Sequence, residues 1–214
     1  MDEDVSIINT NTRNEKIKNF FINNKNKLIF GILIVLIGII SVYGFDKYQV
    51  NKKQQISDDF NLVTIEYSET NKEKTIKKLI EIINEKNPTY SPLSLYFIID
   101  NELISDKKQI NELFDTLIDQ TTLDEEIKNL IIYKKALFNA DQSSEGDLLN
   151  LLNPLINSKS VWKSHALYLM AEYFYAKEQN QKAKEFFNQI ISLENPNRDI
   201  RLQADKRLNR DLSE

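Results

Sequence analysis

Apolar and polar positions divide this chain into two regimes. From Leu28 to Phe45 (LIFGILIVLIGIISVYGF) 18 residues run without a charge, and no polar stripe crosses them as it would on the surface helix of a globular core. Further on, apolar residues recur with a period near 3.6, which predicts helices that bury one face. The clearest is Lys107–Gln120, where Ile110, Leu113, Phe114, Leu117 and Ile118 follow the i, i+3, i+4, i+7, i+8 spacing. Ile76, Leu79, Ile80 and Ile83 mark another helix, which stops before Asn87-Pro88 because proline disfavours helical backbone in the residue before it. Ser91 is the predicted cap of the next helix, with Pro92 at its first position, where the missing N–H costs nothing. Later helices are predicted at about 124–140, 145–157, 160–178, 180–194 and 198–211. Near the N-terminus, residues 1–12 (MDEDVSIINTNT) show no sustained periodicity and read as a flexible acidic tail, followed by one helix from about Glu15 to about Glu69. With only four Gly and four Pro, the chain lacks the turn residues that many short strands require. The predicted fold class is all-α.

At 1.5 Å per residue the uncharged run is about 27 Å long, just enough for the roughly 30 Å hydrocarbon core of a bilayer. Tyr43 and Tyr48 stand near its far end, the level where amphipathic rings favour headgroups. A cleaved signal peptide fits less well, since Val42-Tyr43-Gly44 is a poor cleavage site and the helical pattern continues through Asp46 to Glu66. Residues 13–27 hold five Lys or Arg and residues 46–60 hold three, an imbalance that favours a cytoplasmic N-terminus. Ile17, Phe20 and Phe21 beside Lys16 and Lys18 suit the inner leaflet surface. The expected organisation is a cytoplasmic tail at 1–27, a transmembrane helix at 28–45 contacting lipid, a helical linker or stalk at 46–89, and a helical domain at 90–214 outside the cytoplasm, in a single-pass inner-membrane protein.

Charge and chemistry then narrow the function. Of the net charge of -4, residues 1–45 contribute five basic against four acidic groups, which leaves 23 basic and 28 acidic residues beyond them. That acidic remainder carries no footprint for nucleic acid. Cysteine is absent and His165 is the single histidine, so thiol nucleophiles, His-based triads and the usual zinc sites have no material. No glycine-rich phosphate loop is present either. No cofactor, metal site or catalytic centre is expected, and Asp58, Asp59 and Glu66 read as solvated charges on one helix beside Lys52 and Lys53.

The predicted helices pair as Ser91–Ile104 with Lys107–Gln120, Asp124–Ala140 with Glu145–Asn157, and Ser160–Lys177 with Gln181–Glu194. Starts at 91, 124 and 160 are spaced by 33 and 36 residues, within the range of stacked helical repeats. In the last pair Leu167, Met170, Ala171, Phe174, Ala183 and Phe187 fall at the tetratricopeptide spacing. There Ala171 and Ala183 permit close approach of the two helices and Phe174 and Phe187 fill the seam. The first two pairs match in length and periodicity alone, and Lys134 and Lys135 stand where apolar or small residues belong. Over its length the chain resembles the YfgM-like family, single-span tetratricopeptide proteins associated with the bacterial Sec translocon. The likeness rests on the ordered series of the basic, Phe-containing entry to the anchor (KIKNFFINNKNK), the segment NPTYSPLSLYFIIDNELISDKKQINELFDTLID with Tyr90 at its head, and the closing VWKSHALYLMAEYFYAKEQNQKAKEFFNQII with Trp162. The resemblance implies a periplasmic helical domain whose partners are translocon subunits, periplasmic chaperones and exported polypeptides.

Stacked hairpins leave a concave face lined by the first helix of each pair. In the last repeat that face carries His165, Tyr168, Glu172 and Tyr175, the candidate protein-binding residues. The alternative packs the tyrosine pair against the terminal helix Arg198–Asp211. His165 reads as structural, for want of a second ligand or nucleophile, and Trp162 as the anchor of the third hairpin. Two functional readings follow: a non-enzymatic export adaptor or chaperone-like factor, or an envelope scaffold for cell division or cell-wall assembly.

Overall fold

The computed structural model describes residues 2–213, in two compact units, 1–55 and 56–214. Ten α-helices and no strand occur among the described residues.

In the first unit α1 spans Asp2–Asn23, and α2, Lys25–Ile65, carries on past the unit's end. The acidic N-terminus is helical from Asp2 onward, contrary to the flexible tail expected. The stretch holds no helix breaker, since no Gly or Pro occurs before residue 31. The single long helix predicted from Glu15 is divided at Asn24, yet the Asn24 amide still reaches the Phe20 carbonyl (3.0 Å) and the Leu28 amide the Asn24 carbonyl (2.9 Å). Within 28–45 Ile32, Val35, Ile39, Ile40 and Phe45 are all exposed. Each such side chain forgoes about 1.5–3 kcal/mol relative to burial. The helix is long and apolar enough to cross a membrane, and none of its apolar window is buried in the protein.

The second unit contains α3 (Lys72–Asn84), α4 (Tyr90–Asp100), α5 (Lys107–Gln120), α6 (Glu125–Asn139), α7 (Glu145–Ile156), α8 (Lys163–Ala176), α9 (Asn180–Ile191) and α10 (Arg198–Lys206), closing in a π-turn at Arg207–Asp211. Side-chain caps start several of them as the chemistry demands. Asp106 accepts from the Lys108 amide (2.8 Å), Asp124 from the Glu126 amide (3.0 Å) and Asn197 from the Asp199 amide (3.0 Å). Ser91 does not cap α4. Its hydroxyl donates to the Ile82 carbonyl (2.8 Å) and accepts from the Asn87 amide (2.9 Å), tying the end of α3 to the start of α4. The Asn87 carboxamide takes the capping role, accepting from the Thr89 and Tyr90 amides (2.9 and 3.0 Å).

That clamp changes the pairing. α4 packs most extensively on α3 and less on α5, whereas the sequence pairs α4 with α5. Residues 72–84, assigned above to a stalk, supply fully buried Leu79 and Ile83 to a core shared with Leu95, Ile98, Phe114, Leu117 and Ile131. The amphipathic face of α3 is long enough to need a partner, and the five-residue link 85–89 places α4 against it. A second core holds Leu148, Leu152, Leu155, Met170, Phe174, Phe187 and Ile190. The two divide at α6, where neighbouring Ile131 and Ile132 belong to different cores. In the last hairpin Ala171 and Ala183 are fully buried, and Phe174 and Phe187 lie inside the seam. Ala136 takes the small-residue position on α6. Lys134 lies over the Tyr96 ring at 4.4 Å, and Lys135 pairs with Asp115 of α5.

Candidate protein-binding face of the last repeat

α8 begins where Glu126, in the first turn of α6, receives it. The Glu126 carboxylate accepts from the Ser160 hydroxyl (2.8 Å) and the Val161 amide (3.3 Å), and its backbone carbonyl accepts from Trp162 Nε1 (3.2 Å). The Trp162 ring stacks on Tyr133 at 5.9 Å, and His165 packs edgewise against Tyr133 and tilted by 51° against Trp162. His165 Nδ1 is buried, with no hydrogen-bond partner among the described residues. Burial holds the imidazole below its ordinary pKa, because an apolar setting disfavours the charged form. Trp162 anchors this hairpin, and His165 serves the same aromatic cluster.

The other three candidates lie further along α8, where successive members at i, i+4 and i+7 share one side of the helix. The Tyr168 ring meets Phe187 of α9 edge to face at 5.5 Å. Glu172 receives a forked ion pair from Arg207, with Nε to Oε1 and Nη2 to Oε2 both at 2.7 Å. The same guanidinium lies 4.8 Å from the centre of the Tyr175 ring and donates through Nη1 to Asp211 at 2.8 Å. Asp211 is also gripped by Arg210, Nε to Oδ1 at 2.6 Å. Arg210 first, and Arg207 second, hold the Asp211 carboxyl well below the usual carboxylate range. Glu172 and Asp211 raise the guanidinium of Arg207. Burial, and after it the neighbouring carboxylate of Glu172, pushes the Tyr168 hydroxyl up.

Thus Tyr168, Glu172 and Tyr175 gather around a cation from the chain's own terminal helix, and His165 does not join them. Tyr175 and Glu172 meet the terminal segment through Arg207, while the Tyr168 ring packs on α9. The sequence alone does not mark Arg207 and Asp211 as part of this face. Their i, i+4 spacing was a readable sign of a local ion pair, but nothing there connected it to Glu172, 35 residues away. An open recess of about 690 Å³ lies near the start of α8, lined in part by Lys163, Leu167, Asn188 and Ser192. Its charged lining residues are Lys163 and Glu185.

The model of the tetratricopeptide repeat-like domain matches residues 18–207. The chain belongs to that family. The matched span takes in the apolar stretch and the helical pairs alike, so this tetratricopeptide repeat-like protein falls within the family description over most of its length. Comparison with curated proteins and with solved structures returns no match. Domains of this type are in general protein-interaction scaffolds, and no catalytic family is indicated. The Tyr168–Glu172–Tyr175 face is the candidate surface for other polypeptides.

Proposed function

We propose that this protein is a membrane-anchored, non-enzymatic adaptor or chaperone-like factor that assists protein export beside the Sec translocon, with its helical domain on the periplasmic side. The observation that carries the reading is one continuous family match over residues 18–207, which joins an interaction scaffold to an 18-residue uncharged stretch lying wholly outside any protein core. The basic excess before that stretch supports an inside N-terminus, and the resemblance to the YfgM-like family supplies the translocon. Tethering raises the local concentration of the domain beside a membrane partner, so that weak contacts suffice. Two aromatic rings and a carboxylate on one helix face suit the capture of polypeptide side chains.

Photocrosslinking amino acids at Tyr168 and Tyr175 in living cells test the reading. Adducts with translocon subunits, periplasmic chaperones or exported chains are expected. Reproducible adducts with division or wall-assembly proteins instead would replace it with the envelope-scaffold reading. Because the chain lacks cysteine, single Cys replacements at Ser6 and Ser158 report topology. A membrane-impermeant thiol reagent in outer-permeabilised cells labels Ser158→Cys and not Ser6→Cys if the orientation is as stated.

A further inference from the structure

We propose that the α8 face bearing Tyr168, Glu172 and Tyr175 is a receptor for an arginine side chain of a polypeptide segment, and that Arg207 of the chain's own terminal segment fills it in cis. The inference rests on the polypeptide-binding reading above and gives it a side-chain specificity.

The geometry is that of guanidinium recognition. A carboxylate meets the Nε and Nη2 edge with two parallel bonds of 2.7 Å, and an aromatic face lies 4.8 Å from Cζ. A planar, forked, delocalised cation satisfies both features at once, and a lysine ammonium satisfies neither as a pair. Both groups stand on α8, whose register is fixed by fully buried Met170, Ala171 and Phe174 on its other side. Only the third partner, Asp211, travels with Arg207. The receptor therefore persists when the terminal segment leaves.

That segment is built to leave at low cost. Between Arg198 and Ser213 only Ala204 and Leu212 are buried, and Leu202 is exposed. The backbone that carries Arg207 winds as a π-turn, Arg207–Asp211, an irregularity found preferentially at functional sites. Ala204 and Leu212 join the second core and Ile200 and Leu208 pack against it, while most of residues 198–213 face solvent, which places such an element toward the low end of local opening free energies. The ion pair is itself within reach of solvent, with the Arg207 and Glu172 side chains 28% and 27% exposed. Residues 46–214 carry 23 basic against 28 acidic groups, a field that draws basic segments toward the domain.

The test uses the full chain in detergent and a fluorescein-labelled copy of residues 205–213, DKRLNRDLS, read by fluorescence anisotropy. Arg207→Ala empties the receptor and is expected to bind the peptide at least about tenfold more tightly than the wild type, whose sites are mostly filled in cis. Adding Glu172→Gln to Arg207→Ala abolishes that gain. A peptide with lysine in place of the arginine matching position 207 binds at least about tenfold more weakly. Equal affinity of the wild type and Arg207→Ala, or retention of binding in the double variant, overturns the proposal. If Arg207→Ala fails to fold by circular dichroism, hydrogen exchange of residues 198–213 in the wild type decides. Faster exchange with saturating peptide is expected, and unchanged exchange refutes displacement. The two levels fail separately: crosslinks to export partners with no arginine preference remove the receptor alone, whereas arginine-selective binding without such crosslinks removes the export role alone.

Discussion

Three helices end on residues with backbone angles that suit glycine. Lys86, Glu102 and Glu178 adopt φ of 53°, 50° and 59°, in a chain with four glycines in all. At Glu178 the left-handed residue lets the Gln179 amide return to the Phe174 carbonyl at 2.9 Å, closing the end of α8. A left-handed non-glycine costs roughly 1–2 kcal/mol, and glycine's greater unfolded freedom takes back about 0.5–1. Glu178→Gly should therefore stabilise the domain by about 0.5–1 kcal/mol, as urea unfolding would measure. His165 makes a prediction of opposite sign. Its folded pKa lies below the ordinary 6.5 because of burial beside Tyr133 and Trp162, so the unfolded chain takes up a proton first as pH falls. The stability tied to the neutral ring is complete above about pH 7 and declines as pH drops below the unfolded pKa toward the folded one. Urea midpoints at pH 7.5 and pH 5.5 should differ less in His165→Phe than in the wild type.

At the scale of elements, α3 and the α8–α9 seam give the sharpest contrasts. Leu79 is fully buried against α4 and α5, so Leu79→Ala should cost about 2–5 kcal/mol. Leu93, exposed on α4, should tolerate the same change with little loss, and equal effects at the two sites would contradict the packing of α3 in the core. Ala183 is the small residue that lets α9 approach α8. Ala183→Leu should overpack this seam and destabilise by about 1–3 kcal/mol or more, whereas Ala176→Leu at an exposed position on α8 should be close to neutral. Both comparisons are differences in denaturation midpoint within one protein, which cancels most errors in the unfolded reference.

For the whole molecule, the decisive contrast is between a helix with no core and a unit with two. Residues 56–214 enclose both hydrophobic clusters, the property of a region that folds by itself. Expressed alone, this segment should be soluble, helical by circular dichroism and cooperative in unfolding. The full chain should require detergent, because Ile32, Val35, Ile39, Ile40 and their neighbours stay exposed unless lipid covers them.

Much of this was readable along the chain because it depends on neighbours in sequence. Helical periodicity, the uncharged run at 28–45 and the Ala171, Ala183, Phe174 and Phe187 seam all follow from spacing of three or four residues, or from composition within one short window. Decisions that compare distant alternatives were not. Ser91 yields the expected cap of α4 to Asn87, because its hydroxyl is taken by the free carbonyl of Ile82 in the preceding helix. α4 chose α3 over α5 because both faces of a mostly apolar helix can be buried, and the shorter link won. Arg207 reached Glu172 across 35 residues. Spacing tells which side of a helix seeks burial; only three-dimensional packing selects the partner that covers it.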